Sequence, residues 1–215
     1  EMQLVMQQTL VSAIITAIAL QSVVFFGAKH LLSIFDPGPE LMNQAVVYMK
    51  TVSFGFPFLA VMLAVAGAFQ GMGISYIPML IAFGMDTVNI VAGYSLIFGR
   101  FGFSPMGVRG AAIAVVLSEL AASIIGLIIL FRKNGLLHKY CDRRFFSLDP
   151  PLILKIYRVG IQSAMETIFW LMAGIVVARS IMTFGETTFA AHQLGVQAES
   201  ISYMPASGFG IAATA

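Results

Sequence analysis

The chain has 215 residues, of which 59% are hydrophobic and 10% charged, with a net charge of +2. A soluble domain carries about 25% charged residues, so 12 Lys and Arg with 10 Asp and Glu cannot coat a water-exposed globule of this size. A soluble enzyme and a disordered chain are both excluded, and the charge is too small to point to nucleic acid.

A membrane-spanning helix needs about 20 mostly apolar residues to cross a hydrocarbon core of about 30 Å. Six runs meet that need: about 4–28, 41–69, 76–98, 107–131, 152–184 and 188 to the end. Each is far longer than the 9–11 residues of a spanning strand, and none alternates polar with apolar. The expected fold is therefore all-α, a polytopic membrane protein with six transmembrane helices. Turn chemistry separates the runs: Asp36-Pro37-Gly38-Pro39, Gly71-Met72-Gly73, Gly99 through Pro105, and Gly185-Glu186. The chain opens on Glu1 and both ends fall inside apolar runs, with no signal-peptide pattern. It reads as an internal piece of a longer protein.

Seven of the twelve basic residues lie between Arg132 and Arg158. The positive-inside rule puts that stretch in the cytoplasm, and alternation places the 30–41, 99–107 and 184–188 turns outside. The same stretch is the one plausible linker, with Phe145, Phe146 and Leu148 available to the membrane interface. Its exit, Asp149-Pro150, is a helix start with Asp as N-cap and Pro at the first helical position. Cys141 stands alone on the cytoplasmic side, where a thiol stays reduced.

Four carboxylates sit mid-run: Asp86, Glu119, Glu166 and Glu199. An acid at a helix centre costs about 2.5–3.5 kcal/mol on insertion, and such residues line water, bind ions or relay protons. Gln162, Glu166 and Trp170 follow at i, i+4 and i+8 and form one stripe, a carboxylate one turn from an indole that suits a lipophilic cation. Trp170 also reads as packing or an interface anchor. Asp86 and Asn89 share a face at i, i+3, with Gly93 beyond; they read as oxygen ligands for a proton or small cation, or as interhelical hydrogen bonding. Glu199 shares a face with Gly195, Ser202 and His192, the last nearer the outer end. Glu119, beside Ser118 and Ser123, reads as an acid that satisfies a neighbouring helix.

Pro57 falls mid-run, and so does Pro205, which Gly208 and Gly210 follow. Proline removes a backbone hydrogen bond and kinks a helix, which membrane proteins tolerate where the break is buried or lines a cavity. These are hinge or kink candidates. Thirteen Met and eighteen Phe suit either an adaptable ligand surface or lipid contact. The metalloprotease His motif, the nucleophile elbow and the phosphate loop are all missing, and His30, His138 and His192 lie at separate helix ends, so no enzyme, metal or cofactor chemistry is expected.

Several strings carry a family likeness. Ala68-Phe69-Gln70-Gly71-Met72-Gly73-Ile74-Ser75-Tyr76-Ile77-Pro78-Met79 resembles the turn between the fourth and fifth helices of the multidrug and toxic compound extrusion (MATE) family. Asn89 through Gly99 resembles the end of its fifth helix, and Gly107-Val108-Arg109-Gly110-Ala111-Ala112 the start of its sixth. Ala190-Ala191-His192-Gln193 and Met204 through Ala212 resemble its eighth. The likeness covers almost the whole chain in order and spacing.

The resemblance implies a twelve-helix transporter of two six-helix lobes, of which this chain holds helices three to eight. Residues 1–131 would be four helices of the first lobe, 132–151 the cytoplasmic linker and 152–215 the first two helices of the second lobe. It implies a secondary antiporter in the plasma membrane, monomeric when full length. Such a protein exports cationic or amphiphilic small molecules in exchange for H+ or Na+. Alternatives are a lipid-linked oligosaccharide flippase or polysaccharide exporter of the same superfamily, and a membrane enzyme or assembly subunit. Some branches carry an Asp on the fifth helix four residues after the Asn; here Gly93 stands there. The run Gly160 through Glu166 resembles a Gly-x-Pro-x-x-x-Glu pattern with Gln162 in place of Pro, which marks Glu166 as a cavity residue.

Overall fold

The computed structural model describes residues 2–132 and 149–214. The proposed linker, with Cys141, His138, Phe145, Phe146 and Leu148, lies outside the described residues apart from its two ends. The described residues form seven α-helices: α1 (Met2–Ser33), α2 (Pro39–Ser53), α3 (Phe56–Gly71), α4 (Tyr76–Phe98), α5 (Val108–Phe131), α6 (Pro150–Met182) and α7 (Glu186–Thr214). Among the described residues there is no strand. The chain is an all-α polytopic membrane protein.

Five of the six expected runs are single helices, and the second is two. Pro57 explains the break. It has no N–H to give the Ser53 carbonyl, and its ring would strike that carbonyl in a continuous helix. So α2 stops at Ser53. Phe54 and Gly55 tighten the turn with short-range bonds to Thr51 (3.2 Å) and Val52 (2.8 Å). The regular pattern resumes when Leu59 N–H reaches the Gly55 carbonyl at 2.9 Å. The two halves meet at 50°. Pro205, in contrast, sits inside α7 without ending it.

The helix ends follow the turn chemistry. α3 closes with paired bonds from Gly73 to Gln70 (2.9 Å) and from Ile74 to Phe69 (2.9 Å). Gly73 supplies the left-handed backbone at φ 74° that this cap requires. At the start of α6, the Asp149 side chain accepts from Leu152 N–H, and two prolines follow it.

α1, α4, α5 and α6 are each long and apolar enough to cross a membrane, and the bent pair α2–α3 is so when its two halves are taken together. α7 carries Glu186, His192 and Glu199 and is less apolar. Its 29 residues still reach the required length at about 1.5 Å per residue.

The buried core is Met6 and Leu10 of α1, Val61, Val65 and Phe69 of α3, Ile81 of α4, and Ala122 and Leu130 of α5. All lie toward the end of the bundle from which α5 enters the basic stretch. Small residues let the helices close up there, as membrane helix pairs require: Val65 packs onto Gly126, whose absent side chain leaves room for it. α6 buries no residue, and among the described residues it meets the bundle chiefly along α1.

Candidate functional site

α1 and α6 run side by side with a groove between them, floored by α3. Its volume is about 640 Å³. The walls are mostly aliphatic, from Leu20, Leu59, Leu63 and Ile156. One row of hydroxyls interrupts them: Thr9, Ser12 and Thr16 on α1, facing Tyr157 on α6. The three α1 residues are spaced at i, i+3 and i+7 and so share one face.

Each α1 hydroxyl donates to its own helix: Thr9 to the Val5 carbonyl (2.8 Å), Ser12 to Thr9 (3.1 Å) and Thr16 to Ser12 (2.9 Å). With its proton committed, the Thr16 oxygen accepts from the Tyr157 hydroxyl. The result is a chain from Tyr157 through Thr16 to the Ser12 backbone, in which each bond polarises the next. The Tyr157 oxygen also lies 3.5 Å from the Ser12 carbonyl, at the limit of hydrogen bonding.

Two further contacts cross from the first five helices to α6 and α7, at opposite ends. Near the basic stretch, Asp149 N–H donates to Gln8 Oε1 at 3.1 Å. At the far end, Gly38 N–H, at the head of α2, donates to Glu186 Oε1 at the head of α7, at 3.0 Å.

The carboxylates expected from the sequence are dispersed. Glu166 is exposed on α6, and so are Gln162 and Trp170, the indole 77% exposed. Glu166 is nine residues after Tyr157, about two and a half turns, so it points away from the groove. Glu199, His192, Pro205 and Gly208 are exposed on α7. Asp86 is exposed on α4, while Asn89 is half buried and donates its amide to Ser118 Oγ of α5 at 3.3 Å. The structure thus brings Asn89 to α5 and leaves Asp86, Glu166 and Glu199 apart, each facing out of this chain.

The fourth acid is the buried one. Glu119 is 8% exposed, and its Oε2 has no hydrogen-bond partner among the described residues. It points across to the break between α2 and α3, against Gly55. Sequence reasoning passed over the hydroxyl row of α1 and Tyr157 altogether. The i, i+3, i+7 spacing of Thr9, Ser12 and Thr16 was the signal that could have found the first three.

Residues 1–95 match the MatE family model. Similar proteins span most of the chain. The probable multidrug resistance protein NorM of Thermotoga maritima is 32% identical over 179 residues, covering 81% of this chain and 37% of the relative. The protein of the same name from Brucella suis biovar 1 is 29% identical over 206 residues, covering 94% of this chain and 43% of its own length. The multidrug resistance protein NorM of Vibrio cholerae serotype O1 is 23% identical over 197 residues, covering 92% and 43%. The chain spans about two-fifths of the length of these curated relatives. On these matches, this multi-pass membrane chain belongs to the MATE family.

Proposed function

We propose that the protein of which this chain is part exports cationic or amphiphilic small molecules in exchange for H+ or Na+. The observation that carries this reading is the apolar groove between α1, α3 and α6 with its single polar row. Apolar walls with a few convergent polar groups are what a small amphiphilic guest needs. The names of the relatives support drug export as the activity. Residues 1–131 act as part of one lobe and 152–215 as part of the other, joined through 132–151. This division agrees with a buried core drawn from α1, α3, α4 and α5, and with α6 burying nothing.

Alternating access then consists of rocking α6 and α7 against α1. The Gln8–Asp149 and Gly38–Glu186 contacts are alternately kept and broken at the two ends. The outward-facing acids Glu166, Glu199 and Asp86 serve the cavity that the remaining helices of the full transporter complete. Gln162 and Trp170 flank Glu166 on its face, and proton or Na+ binding at Glu166 drives the exchange from that cavity, on the face of α6 opposite the groove. Pro57, Pro205 and Gly208 lie where bending is cheapest. Asn89 contributes an oxygen on the first-lobe side, where Gly93 provides no carboxylate.

The test uses the full-length protein in proteoliposomes with tetraphenylphosphonium as the lipophilic cation. Glu166→Gln is expected to abolish exchange driven by a proton or sodium gradient while leaving tetraphenylphosphonium binding detectable. Unchanged gradient-driven export by that variant rules Glu166 out as the coupling acid.

A further inference from the structure

Glu119 does not line the groove and plays no part in the mechanism above. Its surroundings explain why it stands out. Every nearby hydroxyl gives its proton elsewhere: Ser118 to the Val115 carbonyl (2.7 Å), Ser123 to Leu120 (2.8 Å) and Ser53 to Lys50 (2.7 Å). No charged side chain from the helices packed on α5 faces it. On α2, Glu40 lies at the far end, and Lys50 turns to the Phe25 ring of α1, 5.2 Å from its centroid. α3 carries no charged residue. Asp86 of α4 is exposed, and Arg109 sits in the first turn of α5 itself.

The carboxyl instead occupies the space that a side chain on Gly55 would fill. The Val52 carbonyl lies 3.1 Å from that same point. That carbonyl already accepts from Gly55 N–H at 2.8 Å and keeps a second lone pair. A neutral carboxyl fits this setting, with its O–H turned to a carbonyl acceptor. A carboxylate does not, since it meets a carbonyl dipole, no donor and no cation. Removing one partner from a buried charge is costly because nothing replaces the lost hydration.

We propose that Glu119 and the α2–α3 break form a proton-binding site inside the first lobe, in which proton loss opens the break. With the proton on Oε2, the carboxyl rests against Gly55 and holds the 50° bend closed. When the proton passes to water, the carboxylate has to gain donors, and it gains them by admitting water to the already weakened turn at Phe54 and Gly55. The site is separate from the groove and does not depend on Glu166.

The experiment is amide hydrogen exchange in the full-length protein, comparing wild type with Glu119→Gln at each pH, so that intrinsic exchange rates cancel. Local opening is what such exchange reports. In residues 50–58 the two proteins should exchange alike at low pH. At high pH the wild type should exchange about tenfold faster, equivalent to about 1.4 kcal/mol of easier opening. An infrared difference spectrum between the two pH values should show a buried carboxylic acid band in wild type that is lost in the variant. Equal exchange at every pH, or a band that survives in Glu119→Gln, overturns the proposal. If the Gln variant does not fold, Glu119→Met removes the charge at similar length and gives the same comparison. Neither readout involves drug transport, so failure here leaves the groove reading standing, and the converse holds too.

Discussion

The carboxyl of Glu119 sits where the side chain of Gly55 would begin. Glycine is the one residue that lets an acid on α5 enter the turn between α2 and α3. Gly55→Ala should therefore destabilise the protein by about 1–3 kcal/mol through overpacking. Glu119→Ala should remove the obstacle, so the double variant should recover part of that loss. A coupling of about 0.5–3 kcal/mol is expected in a double-mutant cycle on thermal unfolding. Additive effects of the two changes would mean that the residues do not meet.

Tyr157 joins α6 to α1 through one hydroxyl. Tyr157→Phe keeps the ring and deletes the donor to Thr16. Thr16 still bonds to Ser12 at 2.9 Å, so no buried proton is stranded. The expected loss is modest, about 0.5–1.5 kcal/mol. Efflux assays on the full-length variant should show a raised KM for an amphiphilic cation, because the groove loses its one polar contact from α6. A wild-type KM would place the guest elsewhere.

The Gly38–Glu186 contact joins the head of α2 to the head of α7, at the end of the bundle opposite the basic stretch. The carboxylate takes the N–H at the head of α2, where Pro39 has none to offer and Gly38 no side chain to cap with. Glu186→Ala should cost about 1 kcal/mol, the worth of a lost N-terminal cap. Its sharper effect is on the balance between the two ends. A cysteine introduced at Leu20 should react faster with an impermeant thiol reagent applied from outside in Glu186→Ala than in its absence. Equal labelling rates would show that this contact does not hold the groove shut.

Asn89 spends its amide on Ser118. Ser118 keeps its own bond to Val115. If the amide is only a tie between α4 and α5, Asn89→Ala should cost about 0.6 kcal/mol, the average for interhelical hydrogen bonds in a membrane, and leave transport intact. If Asn89 also supplies an ion-site oxygen, gradient-driven export should fall far more than stability. Measuring both on the full-length variant separates the two roles.

The sequence by itself determined which stretches are long and apolar enough to span, where they turn, and that Pro57 and Pro205 are the places a helix can bend. Those are properties of backbone and solvent. Twenty apolar residues fit a bilayer whatever packs beside them. Pro57 deprives the Ser53 carbonyl of its donor whatever the neighbours are. Asp149 caps α6 with its own oxygen. What only the tertiary structure decided is which polar side chain is inside. A helix that is apolar all round carries no polar face to tell its packed side from its lipid side. Asp86, Glu119, Glu166 and Glu199 therefore look alike along the chain, each an acid in an apolar run. Packing separates them: α5 turns Glu119 onto the α2–α3 break, while the other three acids stay exposed. The meeting of Tyr157 with Thr16, 141 residues apart, is likewise a product of helix placement. A hydroxyl gives no sign of burial until a groove has formed around it.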